Sequence, residues 1–277
     1  MQNTSDSFLS NMSDGDCLFR AAQRGDLDAS RQFLQQLLHK GAPLSVFASA
    51  MDVAIWNDYA DVVGEIACLA GHMWMGGPAR YNTCARHLVS AARRDSPAAA
   101  RVLLRYCTGA ISWYNLETAL DCAVLDDNAA TLALMIPWAS IESRASQLLT
   151  AAANGRSRAV RTLVGHGVHA DTRDGWSKWT ALHFAAMRGQ TQVVKQLLWC
   201  KADICAPTKE GSTALDLATA AGHVATANAL RRFAAQRVNN PKQATHTTGS
   251  SQQPEASGTF RCVNNRLVES RISEPER

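Results

Sequence analysis

The sequence predicts an all-α protein, a solenoid of about seven helical hairpins with disordered termini. Three observations lead there. A small-residue motif ending in a turn residue recurs at positions 25, 57, 95, 126, 155, 189 and 222, at intervals of 29 to 38 residues. Each recurrence is followed by apolar residues at helical spacing. Apolar residues make up 46% of the 277-residue chain, enough for a core, yet one unit is too short to cover its own apolar face and must stack on its neighbours.

Each unit reads as two antiparallel helices. The first is short and carries paired small residues (Ala21/Ala22, Ala91/Ala92, Ala185/Ala186) that let a neighbouring helix approach closely. It ends at Gly, Asn or Asp, residues that tolerate the left-handed turn. The second helix carries an apolar stripe, as in Val160, Leu163 and Val164, or Val193, Val194, Leu197 and Leu198. In the third unit it opens with Ser96-Pro97, an N-cap followed by proline at the first helical position. Gly41 and Gly167 close two of these second helices, and Gly71–Pro78 reads as an insertion that lengthens the second interval.

The organisation expected is a disordered N-terminal leader over 1–15, the repeat stack over 16–235 and a disordered C-terminal tail over 236–277. Only nine of the 42 residues in that tail are Val, Ala, Phe, Cys, Leu or Ile, too few for a core, although Phe260–Val268 suits a short motif that orders on binding. An excess of 28 Lys and Arg over 24 Asp and Glu is too small to point to nucleic acid. No apolar run reaches the roughly 18 residues of a membrane span. The first residues lack the basic and apolar regions of a secretory signal peptide. The eight cysteines are irregularly spaced and mostly set in apolar runs, which suggests a reducing, cytoplasmic setting.

The stretch Thr180-Ala-Leu-His183 to Gly189, with Leu197-Leu198 and Ala202-Asp203, resembles the ankyrin repeat. So does Gly211-Ser-Thr213, with Leu215, Ala218 and Gly222-His223. The resemblance is carried by residues 144–235. Residues 16–143 keep the small pairs and the apolar stripes but lack the Thr-x-Leu-His entry. It implies a helical-hairpin stack that binds another protein through its concave face and hairpin tips. It also implies a structural role for His183, hydrogen-bonding between neighbouring loops.

Catalytic signatures are missing from the chain: it has no phosphate loop, G-x-G-x-x-G, G-x-S-x-G or H-E-x-x-H. Cys200-x4-Cys205 and His166-x2-His169 do not have zinc-knuckle spacing, so no metal or cofactor is expected. The expectation is a protein that is not an enzyme. An unrecognised Cys/His site is the reading that would make it one.

The partner-binding residues expected are Trp176, Lys178 and Trp179 in the hairpin Asp174–Trp179, with Asn154, Met187, Arg188, Arg93 and Arg94 just before turn residues. Tryptophan, arginine and methionine at such places have interface rather than ordinary surface composition. Ile55-Trp56 and Val124-Leu125 hold equivalent places but read as core. The expected function is a monomeric, non-catalytic scaffold or adaptor for another protein, with no nucleic-acid or membrane partner. The alternative is an effector secreted into a host cell, since the Ser/Asn-rich start resembles a type III secretion leader.

Overall fold

The computed structural model describes residues 13–74, 79–106, 113–239, 260–263 and 266–269. The chain divides into two compact units, Met1–Ala139 and Ser140–Arg277.

Four hairpins build the first unit. Helices α1 (Asp14–Arg24), α3 (Leu44–Trp56), α5 (Ala79–Arg94) and α7 (Trp113–Leu125) lie side by side as one layer. Helices α2 (Leu27–His39), α4 (Ala60–Trp74), α6 (Pro97–Tyr106) and α8 (Ala129–Met135) form the layer behind them. The pairs Ala21/Ala22 and Ala91/Ala92 are buried where the first-layer helices meet, as their size requires. Side chains cap the helix starts: Ser13 Oγ accepts from the Asp16 N–H at 3.3 Å, and Asp26 Oδ1 from the Ala29 N–H at 3.0 Å. Arg31 of α2 pairs with Glu65 of α4 at 2.8 Å, tying two outer helices together.

The second unit has three hairpins. Helices α9 (Ile141–Ala153), α11 (Ala181–Met187) and α13 (Ala214–Ala220) make its inner layer. Helices α10 (Ser157–Gly165), α12 (Thr191–Trp199) and α14 (Val224–Asn239) make its outer layer. Val160 and Leu163 on α10, and Val193, Val194, Leu197 and Leu198 on α12, are buried between the layers. Four hairpins and three account for the seven units expected. Among the described residues, the strand structure is an isolated bridge between Arg173 and Thr180 and an antiparallel ribbon of β1 (Phe260–Val263) and β2 (Arg266–Glu269).

The turn after each first helix places one residue in the left-handed region: Gly25, Asp58, Asp95, Asp127, Gly155, Gly189 and Gly222. Two of these correct the sequence reading by one position. Asn57 and Asp126 do not take the turn; Asp58 (φ 61°) and Asp127 (φ 59°) do. Asn57 instead ends α3 with φ −97°, and its amide donates to the Val53 carbonyl at 3.0 Å. The spacings become 33, 37, 32, 28, 34 and 33 residues.

Within each unit, the residues that follow the turns, Tyr59, Ser96, Asn128, Gln190 and His223, touch the preceding hairpin. A methyl on Gly25 would sit 2.7 Å from the Tyr59 ring, one on Gly155 2.4 Å from Gln190 Oε1, and one on Gly189 2.7 Å from the His223 ring. At the turns of Asp58 and Asp95 the carboxylate makes the contact. Ser96 Oγ donates to Asp58 Oδ1 at 2.5 Å, and the Thr131 N–H and hydroxyl donate to Asp95 Oδ1 at 3.1 and 3.0 Å. Asn128, following Asp127, donates to the carbonyls of Ala92 and Arg93 at 2.7 and 3.0 Å.

The expected boundaries move at both ends. Helix α1 begins at Asp14, inside the leader assigned to 1–15, because Ser13 caps it. Helix α14 runs to Asn239, past the boundary at 235, and the ribbon lies within the tail assigned as disordered to 277. The rest of both termini falls outside the described residues, including positions 1–12 that would carry an export signal. So does most of the expected insertion's end, 75–78, whereas Gly71–Trp74 continue α4. Cys17, Cys68, Cys122 and Cys200 are free thiols. Cys205 is disulfide-bonded, a departure from the wholly reduced chain that the cysteine pattern suggested.

Candidate functional site

In the second unit the loop between α10 and α11 folds back on one carboxylate. Asp174 Oδ1 accepts the Trp179 N–H at 2.7 Å, while Oδ2 accepts the Ser177 hydroxyl at 2.7 Å and the Ser177 N–H at 3.3 Å. The Asp174 N–H returns a bond to the Trp179 carbonyl at 2.9 Å. Burial acts to raise the Asp174 pKa, but the bonds from Ser177 and Trp179 outweigh it and hold the carboxyl below its usual range. Lys178 takes a left-handed conformation, φ 57°, to complete the turn.

This turn separates the two tryptophans. Trp179 lies half-buried with its ring 5.1 Å from that of Phe184 on α11, so it forms the base of the finger. Trp176 stands at the apex, 91% exposed. The finger is also fixed to the next loop: the Lys209 N–H donates to the Ser177 carbonyl at 2.9 Å, and Arg173 Nη1 to the Pro207 carbonyl at 3.1 Å. The Asp203 N–H donates to Asp171 Oδ1 at 2.8 Å.

His183 completes the clamp from below. Its Nε2 donates to the Ala206 carbonyl at 2.9 Å, and its Nδ1 accepts from the Thr180 N–H at 3.0 Å. A carbonyl can only accept, so Nε2 carries the hydrogen and the ring is neutral. Burial pushes the His183 pKa below the ordinary imidazole value. The loop-bridging role implied by the sequence is therefore what His183 does here.

Met187, 48% exposed, and Arg188 stand at the far end of α11. The His223 ring donates from Nε2 to the Met187 carbonyl at 3.0 Å, which holds that end in place. Seven helical residues separate finger and helix end by about 10 Å, within one interface footprint. Asn154 is exposed, and its amide donates to the Thr150 carbonyl at 2.9 Å as a cap on α9.

Arg93 and Arg94 belong to the first unit and are exposed at the end of α5. The Arg94 guanidinium lies 3.6 Å from the centre of the Trp56 ring and donates to the Trp56 carbonyl at 3.3 Å. Trp56 is 64% exposed, not core as the sequence suggested; its neighbour Ile55 is buried. Val124 and Leu125 divide in the same way, Val124 buried and Leu125 exposed. Both pairs follow from the one-residue correction of the turns. The expected residues thus fall into two groups, one on each unit.

Trp199, 78% exposed at the end of α12, went unnoticed in the sequence because it follows Leu197-Leu198 and reads as part of their stripe. The helical period shows it: with residues 193, 194, 197 and 198 facing inward, 199 turns out. Among the described residues, no group of three or more His, Cys, Asp or Glu is placed to hold a metal ion. Cys200 and Cys205, the spaced pair, are a free thiol and a disulfide sulfur. No helix among the described residues is long and apolar enough to cross a membrane.

Residues 148–241 match the sequence model of the family described as ankyrin repeats, in three copies. That span covers the second unit's hairpins almost entirely. The fold is similar to a solved structure, the ankyrin repeat domain of Bcl-3, described as a unique member of the IkappaB protein family. The likeness has a TM-score of 0.57 at 22% identity and covers 78% of this chain and 97% of that one. The ankyrin-type architecture therefore extends well beyond the segment whose sequence matches, as the layering of the first unit's hairpins also shows.

Proposed function

We propose that the protein is a non-catalytic scaffold that grips a partner protein through the finger and inner-helix ends of its ankyrin repeats. The observation that carries this reading is Trp176. A tryptophan held at the apex of a turn by four hydrogen bonds to and from Asp174 exposes a large apolar surface that water solvates poorly. The rigid turn means that little ordering entropy is lost when a partner covers it. Met187 and Arg188 extend the same surface with the residue types that dominate protein interfaces. In the first unit, the Arg94–Trp56 pair offers a second contact of similar chemistry.

Affinity capture with the wild-type chain beside a Trp176→Ala/Arg188→Ala variant tests this. Trp179 is left intact because its ring supports the finger through Phe184. Both substituted side chains are exposed, so the variant is expected to keep its urea midpoint and lose a specific protein. Equal recovery of every protein by both baits would remove this surface from the reading.

A further inference from the structure

The outer layer of the second unit has an unusual charge distribution. Helices α10, α12 and α14 contain no Asp or Glu. Their exposed positions include Arg158, Arg161, Lys195 and Arg232, none of which forms a salt bridge among the described residues. In the first unit, by contrast, Arg31 and Glu65 neutralise one another across the outer helices. The whole-chain count has the same asymmetry. Residues 140–277 hold 18 Lys and Arg against 10 Asp and Glu, while 1–139 hold 10 against 14, so +8 and −4 give the net +4.

The cations are in register. Counted from the left-handed glycine of its own hairpin, Arg161 and Lys195 each stand six residues on, and Trp199 and Arg232 each stand ten. Neighbouring outer helices pack side by side. Lys195 and Trp199 are four apart on α12 and share a face. The surface is thus two short rows crossing the helices, Arg161 with Lys195 and Trp199 with Arg232, and Arg158 flanks the first.

We propose that this outer face binds an acidic, extended segment of another protein, with Trp199 receiving an apolar side chain between the carboxylates. Packed helices stand about 8–10 Å apart, and a chain extended in the polyproline II conformation has three residues per turn and rises about 3.1 Å per residue, so every third side chain points the same way. A peptide crossing the layer therefore brings every third residue over a helix, and Asp or Glu at that spacing meets Arg161 and Lys195 in turn. Nucleic acid fits less well. A duplex carries one charge per roughly 1.7 Å, and cations a helix apart neutralise few of them. This surface lies on the layer opposite the inner helices, so it is separate from the finger and acts independently of it.

The test is fluorescence anisotropy on the full chain with a fluorescein-labelled peptide of about twelve residues, Glu at every third position and Leu between. Arg161→Glu/Lys195→Glu is expected to weaken binding about tenfold or more, and raised salt to weaken it for the wild type. Trp199→Ala is expected to weaken it at least severalfold, while Trp176→Ala/Arg188→Ala leaves it unchanged. Circular dichroism checks that each variant is folded, and Arg158→Glu/Arg232→Glu substitutes for a reversal that is not. The inference is overturned if the wild type does not bind the peptide or the reversals bind it equally. It is also overturned if a single-stranded oligonucleotide or phosphatidylserine vesicles bind more tightly and are released by the same reversals. Loss of the captured protein through the finger variant alone concerns the first surface and leaves this one standing.

Discussion

Replacing Gly189 by alanine separates two contributions that usually act together. Gly189 has φ +69°, and alanine there carries the left-handed penalty of about 1–2 kcal/mol. Its methyl would also lie 2.7 Å from His223 Nδ1, so the ring must move away. That movement breaks the 3.0 Å bond from His223 Nε2 to the Met187 carbonyl, a further loss of about 1 kcal/mol. The sum is about 2–3 kcal/mol. Gly222 supplies the control. Its φ is +74°, nearly the same, but a methyl there meets nothing within 4 Å. Gly222→Ala should therefore lose only the backbone part, about 1–2 kcal/mol. Equilibrium urea unfolding followed by circular dichroism measures both variants against the wild type. The difference between them, about 1 kcal/mol, is the contact between hairpins. Equal losses would show that His223 contributes nothing across the junction, and the account of the turns given above would fail.

Two further outcomes follow from the buried groups. His183 has a depressed pKa when folded, so below about pH 6.5 the unfolded chain binds a proton that the folded chain refuses. Stability should fall as pH drops through that range, by at most about 1.4 kcal/mol per pH unit from this group, and His183→Asn should remove that part of the slope in urea midpoints. Leu197 is fully buried between the layers, and Leu197→Ala should lose about 2–5 kcal/mol by opening a cavity, measured in the same way.

The hairpin pattern was legible because its causes are local. Paired alanines, a helical stripe and a glycine turn each mark a position, and at Gly25, Gly155, Gly189 and Gly222 the structure agrees to the residue. The pattern blurs at Asn57-Asp58 and Asp126-Asp127, where two neighbouring residues can both accept the left-handed conformation. At the first of these pairs the next hairpin decides, since Ser96 selects the Asp58 carboxylate. The finger shows the same limit. Two tryptophans three residues apart look equivalent in sequence, and only Phe184 beneath one of them decides which is left exposed. The ribbon had a usable signal in its two short strand-like runs, separated by Asn264-Asn265, the two-residue spacing of a hairpin.

The turn contacts also constrain how such a chain can change. At Gly25, Gly155 and Gly189 the turn faces a ring or an amide, whereas at Asp58 and Asp95 it faces a hydroxyl, so these junctions are written as couples whose members sit in consecutive hairpins. A hairpin duplicated or transplanted on its own would arrive with half of two such couples and match neither neighbour. Drift at these sites should therefore proceed in linked steps, and the repeats behave as an ordered lineage rather than as interchangeable beads.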